Sequence, residues 1–257
     1  MQKVKLHFNN DHTIARVVLD DGKGNVLDHI MIEELQMVLS SFNKIASLKL
    51  ITFEGAGKHF SFGASVEEHQ KEFAETMIKN FHQLFYTIRD NSIPTAAIIS
   101  GQCLGGGLEL ALMCNFIFAD QTAKLGQPEI ALGVFAPPAS IILPEKIGLA
   151  RAESLLLTGK VIAADEALNI GLINVLYPNR ELMDTGVKAW IDSYITPRSA
   201  SSLRLAVKAT RIKFNHILTN FLPQLENLYI NQLMETHDAN EGINSFLGKR
   251  KPVWNNN

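Results

Sequence analysis

Glu109 and Glu129 lie in otherwise apolar local sequence, twenty positions apart. A carboxylate in such surroundings is costly unless it is paired or used. Two of them can divide acid–base work: one orients or deprotonates water while the other delivers a proton. Each by itself is a common structural acid, and an acid in a helix's first turn often only answers the helix dipole. The balance shifts because two glycine-bearing turns stand near them, Phe60-Ser61-Phe62-Gly63-Ala64-Ser65 and Gly105-Gly106-Gly107. Glycine there permits positive φ and close approach of another group to the backbone. Where such a turn opens a helix, the first amides are unpaired and suit an anion or a developing oxyanion. The spacing is neither GxGxxG with a downstream acid nor GxxxxGK[ST], so dinucleotide and P-loop readings have little support.

Each turn needs a strand before it. The apolar run Ile93–Ser100 reads as a buried strand with Pro94 at its start, and Leu108–Met113 as the helix after the three glycines. Leu48–Phe53 is the strand before the other turn, and Ser65 is a fair N-cap for a turn carrying Glu67 and Glu68. Upstream, Val4–Phe8 and Ile14–Leu19 read as strands, and residues 29–45 carry apolar residues at helical spacing. A long helix is expected over Phe73–Arg89, then a short strand over Asn115–Ala119. Lys124–Ile130 contains Pro128 and reads as a poor central strand. Gly133–Ala139 is an apolar loop, and helices are expected from about Ser140, Ala150 and Ala163, with a strand over Leu172–Leu176. From about Glu181 only helices remain. The chain is therefore α/β, with a core over residues 1–195 and a helical region over 196–257. Apolar stripes in that region either pack on their own core or meet another copy of the chain.

Composition narrows the partners. The chain has 257 residues, 46% of them hydrophobic, enough for a sizeable core. A net charge of −2 gives no global case for nucleic acid. No apolar run approaches the roughly 20 residues of a membrane span, and Met1–Phe8 has no signal-peptide core. Cys103 and Cys114 sit in apolar segments and read as buried thiols, which fits a reducing, cytoplasmic setting. No His/Cys cluster has zinc spacing, so no metal is expected.

These residues resemble the crotonase (enoyl-CoA hydratase/isomerase) superfamily along nearly the whole chain. Gly105–Ala111 is similar to its GGGxELA block, Gly126-Gln127-Pro128-Glu129 to its GQPE block, and Phe60–Ala64 to its FSxGAD turn. Thr158-Gly159, Ala163–Ala167 and Gly171–Asn174 match later signatures, and Glu241-Gly242 with Lys249–Pro252 the C-terminal end. The resemblance implies a crotonase-like spiral of repeated ββα units, a C-terminal helical trimerisation region, and a homotrimer or dimer of trimers. It implies an acyl-CoA thioester substrate, with no cofactor beyond the CoA that the substrate carries. By position it makes Glu109 and Glu129 catalytic, the N–H groups of Phe62 and Gly106 the oxyanion hole, and Ser61, Gly63 and Ala64 part of the CoA site. Lys249 and Lys251 then either meet CoA phosphates or remain solvated. Having both glutamates favours water addition or loss over members that lack one, and over a silent CoA-ester binder.

Three positions depart from the family pattern: Phe62 in place of Ala, Ser65 in place of Asp, and Gly133–Ser140 in place of the usual Gly-rich loop. Together they resemble the branch of the family that hydrates a cyclic dienoyl-CoA, with a straight-chain enoyl-CoA as the alternative. Phe62, Ser65, Phe135 and Pro137 are then expected to wall a flat ring pocket, although core packing explains Phe135 equally well.

Overall fold

The computed structural model describes all of residues 1–257. The first sheet has six strands. These are β1 (Val4–Phe8), β2 (Ile14–Leu19), β3 (Leu50–Gly55), β4 (Thr95–Ile99), β6 (Phe116–Asp120) and β9 (Val175–Tyr177), in the spatial order β1-β2-β3-β4-β6-β9. The second has three, β5 (Gln102–Leu104), β7 (Lys124–Gly126) and β8 (Val161–Ala163), in the order β5-β7-β8. β1 and β2 are antiparallel, and the rest of the large sheet is parallel. Parallel neighbours need crossovers, and helices α1 (His29–Ser41) and α2 (Lys71–Asn91) supply them between β2, β3 and β4. β3 and β4 are buried at every position, as expected of parallel strands covered on both faces. This is the α/β spiral of ββα units that the sequence resemblance implies.

The short α3 (Gly106–Leu112) follows β5, and α4 (Pro137–Ile147), α5 (Leu149–Leu156), α6 (Ala164–Asn169) and α7 (Arg180–Tyr194) complete the core region. α8 (Ala200–Thr210), α9 (Ile212–Asn231) and α10 (His237–Leu247) form the C-terminal part. α9 packs on α4 and α2, and its Leu218, Leu222 and Tyr229 join the same apolar cluster as the large sheet and α1. The outer face of this part keeps Leu205, Ile212, Phe221, Leu228 and Phe246 exposed.

Four expectations change. The Ile93–Ser100 strand does not run directly into the helix. The chain bends after β4, β5 joins the second sheet, and α3 starts at Gly106 rather than Leu108. Lys124–Gly126 is the central strand of that sheet, because Pro128 falls beyond it, at the start of a 3-10 turn over Pro128–Leu132. A strand forms over Val161–Ala163, β8, where the sequence reading placed none, because three residues are too short to show a period. Ser65 caps nothing: the turn Glu67–His69 starts after Val66 with no side-chain cap, and the Ser65 carbonyl accepts from His69 Nδ1 at 2.7 Å. Cys103 and Cys114 are buried free thiols, as read, and no helix is long and apolar enough to cross a membrane.

Candidate active site

The two glycine turns lie side by side because residues 60–61 pair with the start of the second sheet. Phe60 N–H donates to the Ser100 carbonyl at 2.9 Å, Ser61 N–H to Gln102 at 3.0 Å, and Leu104 N–H back to Ser61 at 3.0 Å. Gly107 lets α3 settle against this strand, since a Cβ there would stand 2.6 Å from the Ser61 Cβ. Gly105 has φ +50°, and a Cβ there would meet Glu129 Oε1 at 2.7 Å. One motif glycine therefore allows packing, and another lets Glu129 approach the turn.

Glu109 is buried on α3, and its Oε1 accepts the Ala139 N–H from the first turn of α4 at 2.9 Å. That amide is one of the unpaired donors at a helix start. Glu129 sits in the 3-10 turn after β7. With its amide nitrogen toward the carboxylate, the buried Gln127 donates to both Glu129 oxygens, at 2.9 and 3.0 Å. Burial pushes both carboxyl groups up, Glu129 to about 7, and the charge of Glu129 raises Glu109 further. Near neutral pH Glu129 is therefore only partly ionised, and the pair can both accept and give up a proton, as an acid–base couple needs.

One cavity joins these groups. Its wall includes Phe62, Gly63 and Ala64 from the first turn, Gly105, Gly106 and Glu109 from the second, and Glu129. Phe135, Ala136 and Pro137 close it from the approach to α4, and Tyr229 of α9 from the far side. His69 and His82 also face it; burial holds both below the usual imidazole range, so they stay neutral at pH 7.

The placement of the expected site residues corrects the reading at several points. The Phe62 N–H is not free, because it donates to the Gly24 carbonyl at 2.9 Å. The amide of Ala64, two residues on, has no acceptor within the chain and lies beside Gly106, whose ideal Cβ position is 3.2 Å from Ala64 N. The two free amides that face each other are thus those of Ala64 and Gly106. Phe62 keeps a place in the wall, about half exposed, edge-on to His59 at 4.9 Å. Ser65 is not part of the wall. Ser61 is fully buried, its hydroxyl donating to Asn25 O at 2.7 Å and accepting from Gly63 N–H at 3.0 Å, so it braces the turn and reaches no ligand. Lys249 and Lys251 are exposed on the tail, outside the cavity wall. Gln127, His69, His82 and Tyr229 were missed. Only Gln127 carried a local signal, as the residue before Pro128-Glu129.

The sequence profile of the enoyl-CoA hydratase/isomerase family matches residues 9–257, and the chain belongs to that family. Among its relatives, the cyclohexa-1,5-dienecarbonyl-CoA hydratase of Thauera aromatica is 41% identical over 98% of this chain and 97% of the relative. A probable enoyl-CoA hydratase of Rhizobium meliloti is 34% identical over 88% of each chain. Among solved structures, an enoyl-CoA hydratase from Mycobacterium avium subsp. paratuberculosis shares the fold with a TM-score of 0.87 at 21% identity, covering 99% of both chains. One from Bacillus anthracis superposes with a TM-score of 0.77 at 28% identity over the full length of both.

Proposed function

We propose that this chain is a hydro-lyase that adds water to cyclohexa-1,5-diene-1-carbonyl-CoA, giving 6-hydroxycyclohex-1-ene-1-carbonyl-CoA. The observation that carries the reading is the pair of glutamates, buried Glu109 and half-buried Glu129, sharing a cavity with the free amides of Ala64 and Gly106. The thioester oxygen sits between those amides. Water held by the glutamates adds to the ring carbon β to the thioester. Charge moves onto the thioester oxygen, where the two amides and the start of α3 stabilise the dienolate. A proton then returns at the far end of the conjugated system, delivered by the protonated member of the pair. The aromatic and proline surfaces of Phe62, Phe135 and Pro137 suit a flat ring. The Thauera aromatica relative, named for this reaction and similar along the whole chain, supports the substrate. The exposed apolar face of α8 to α10 supports assembly of residues 196–257 into a trimer or dimer of trimers.

A second reading, a straight-chain 2-enoyl-CoA hydratase, draws on the Rhizobium meliloti relative and uses the same groups, with the proton returning to the α carbon. The two separate when the enzyme is given the cyclic diene ester and crotonyl-CoA in turn and gain of one water is followed by mass spectrometry. The proposal expects preference for the ring. Preference for crotonyl-CoA transfers the mechanism to the second reading, and hydration of neither refutes both.

A further inference from the structure

The polar side chains around the acyl cavity have partners, with one exception. Glu109 accepts from Ala139, Glu129 from Gln127, His69 bonds the Ser65 carbonyl, and His82 bonds Glu226 Oε1 at 2.6 Å. Tyr229 is 1% exposed, and its hydroxyl has no hydrogen-bond partner. The ring is well held, packed edge-on to Phe135 with centroids 5.4 Å apart. Phenylalanine fits the same space without the cost of burying an unsatisfied hydroxyl. An orphaned donor in the wall of a ligand cavity is satisfied when the ligand brings an acceptor.

The chemistry of the site says which acceptor. Tyr229 lines the same cavity wall as Glu109 and Glu129, the pair that handles water, and burial keeps its phenol protonated far above neutral pH. The substrate brings a thioester oxygen, already served by two backbone amides. The remaining oxygen is that of the water as it becomes the product hydroxyl. Water held by the glutamates gives its hydrogens to their oxygens and keeps lone pairs for a donor and for the carbon under attack.

We infer that Tyr229 is a further catalytic residue, whose phenolic O–H donates a hydrogen bond to the reacting oxygen in the transition state and in the hydroxylated product. No proton leaves the phenol, and the acid–base steps stay with the glutamates. The inference rests on reading the site as that of a hydratase.

A split between the two directions tests it. In the diene complex the oxygen at this place is that of an exchangeable water, not of the ester; in the transition state it has given a proton to a glutamate and accepts more strongly, and in the hydroxy ester it belongs to the ligand. In Tyr229→Phe, kcat for hydration falls about 10-fold with KM for the diene ester unchanged. In the dehydration direction, KM for the hydroxy ester rises about 10-fold with kcat unchanged, as the fixed equilibrium constant requires. The melting temperature holds or rises, because only an unpaired hydroxyl is lost. Equal KM changes in both directions, or no change in either, assigns Tyr229 to core packing and overturns the inference. If the wild-type enzyme prefers crotonyl-CoA, the same split is read with crotonyl and 3-hydroxybutyryl esters. The choice of ester then decides the substrate and the split decides Tyr229.

Discussion

The two sides of the acyl cavity are built by different means. On one side, the Phe60–Ala64 and Gly105–Gly107 turns present backbone amides, fixed by a short ladder with β5 and by glycines that admit no Cβ. On the other, side chains do the work. Glu109 is held by an amide at the start of α4, Glu129 by Gln127, and Tyr229 comes from α9, far along the chain. The backbone side has a fixed polarity and cannot titrate. The side-chain side can change protonation. A mutation on the first side should therefore act through geometry, and one on the second through proton inventory.

The largest effect is expected on the side-chain side. Glu109→Gln keeps a carbonyl oxygen for the Ala139 N–H, and Glu129→Gln keeps one for Gln127, so each side chain holds its place and loses only acid–base function. Each substitution should lower kcat by roughly 10²–10⁴-fold while binding of a non-reactive CoA ester persists. Steady-state kinetics beside calorimetric binding separates the two quantities. Near-normal turnover in either variant removes that glutamate from the mechanism.

The backbone side has a matching experiment. Gly106 does not have positive φ, so Gly106→Ala strains no backbone dihedral. Its new methyl would lie 3.2 Å from Ala64 N and 3.3 Å from the Ala64 Cβ, beside the two amides proposed to hold the thioester oxygen. Loss of oxyanion stabilisation should cost about 10²–10³-fold in kcat without altering the pH dependence set by the glutamates. A shifted pH profile in Gly106→Ala would show that the two sides are coupled rather than separate.

The same contrast explains what the sequence disclosed. Strand periods, the three glycines and both glutamates are local signals; they disclosed the α/β class, and the fold brings Gly105, Gly106 and the two glutamates into one cavity. The donor assignment failed at Phe62 because its amide is claimed by Gly24, a contact made only when two loops meet. Ser65 looked like a cap, yet its side chain makes no capping bond and it stands outside the cavity wall. β5 and β8, three residues each, are too short to display alternation and exist through pairing with β7. Tyr229 sits in a stretch of helix whose apolar stripe conceals a hydroxyl, and only the packing of α9 on α4 carries it to the site.

The smallest expected effect is in stability. The folded protein holds Glu129 at about 7, against 4.5 for an ordinary glutamate, because burial disfavours the carboxylate. Between those values this group binds more protons in the folded state than in the unfolded one, so its contribution to stability is greatest below about 4.5 and is lost as pH rises through about 7. The slope has an upper bound of about 1.4 kcal/mol per pH unit for one proton. Urea unfolding of the ligand-free protein across this window should show ΔG falling with pH, less steeply in Glu129→Gln, where that group no longer titrates. Gly106→Ala should keep the wild-type slope, since no titrating group changes on the backbone side. An unchanged slope in Glu129→Gln would mean that Glu129 is ionised in the folded protein at every pH in this range, and the shared proton would have to sit on Glu109 alone.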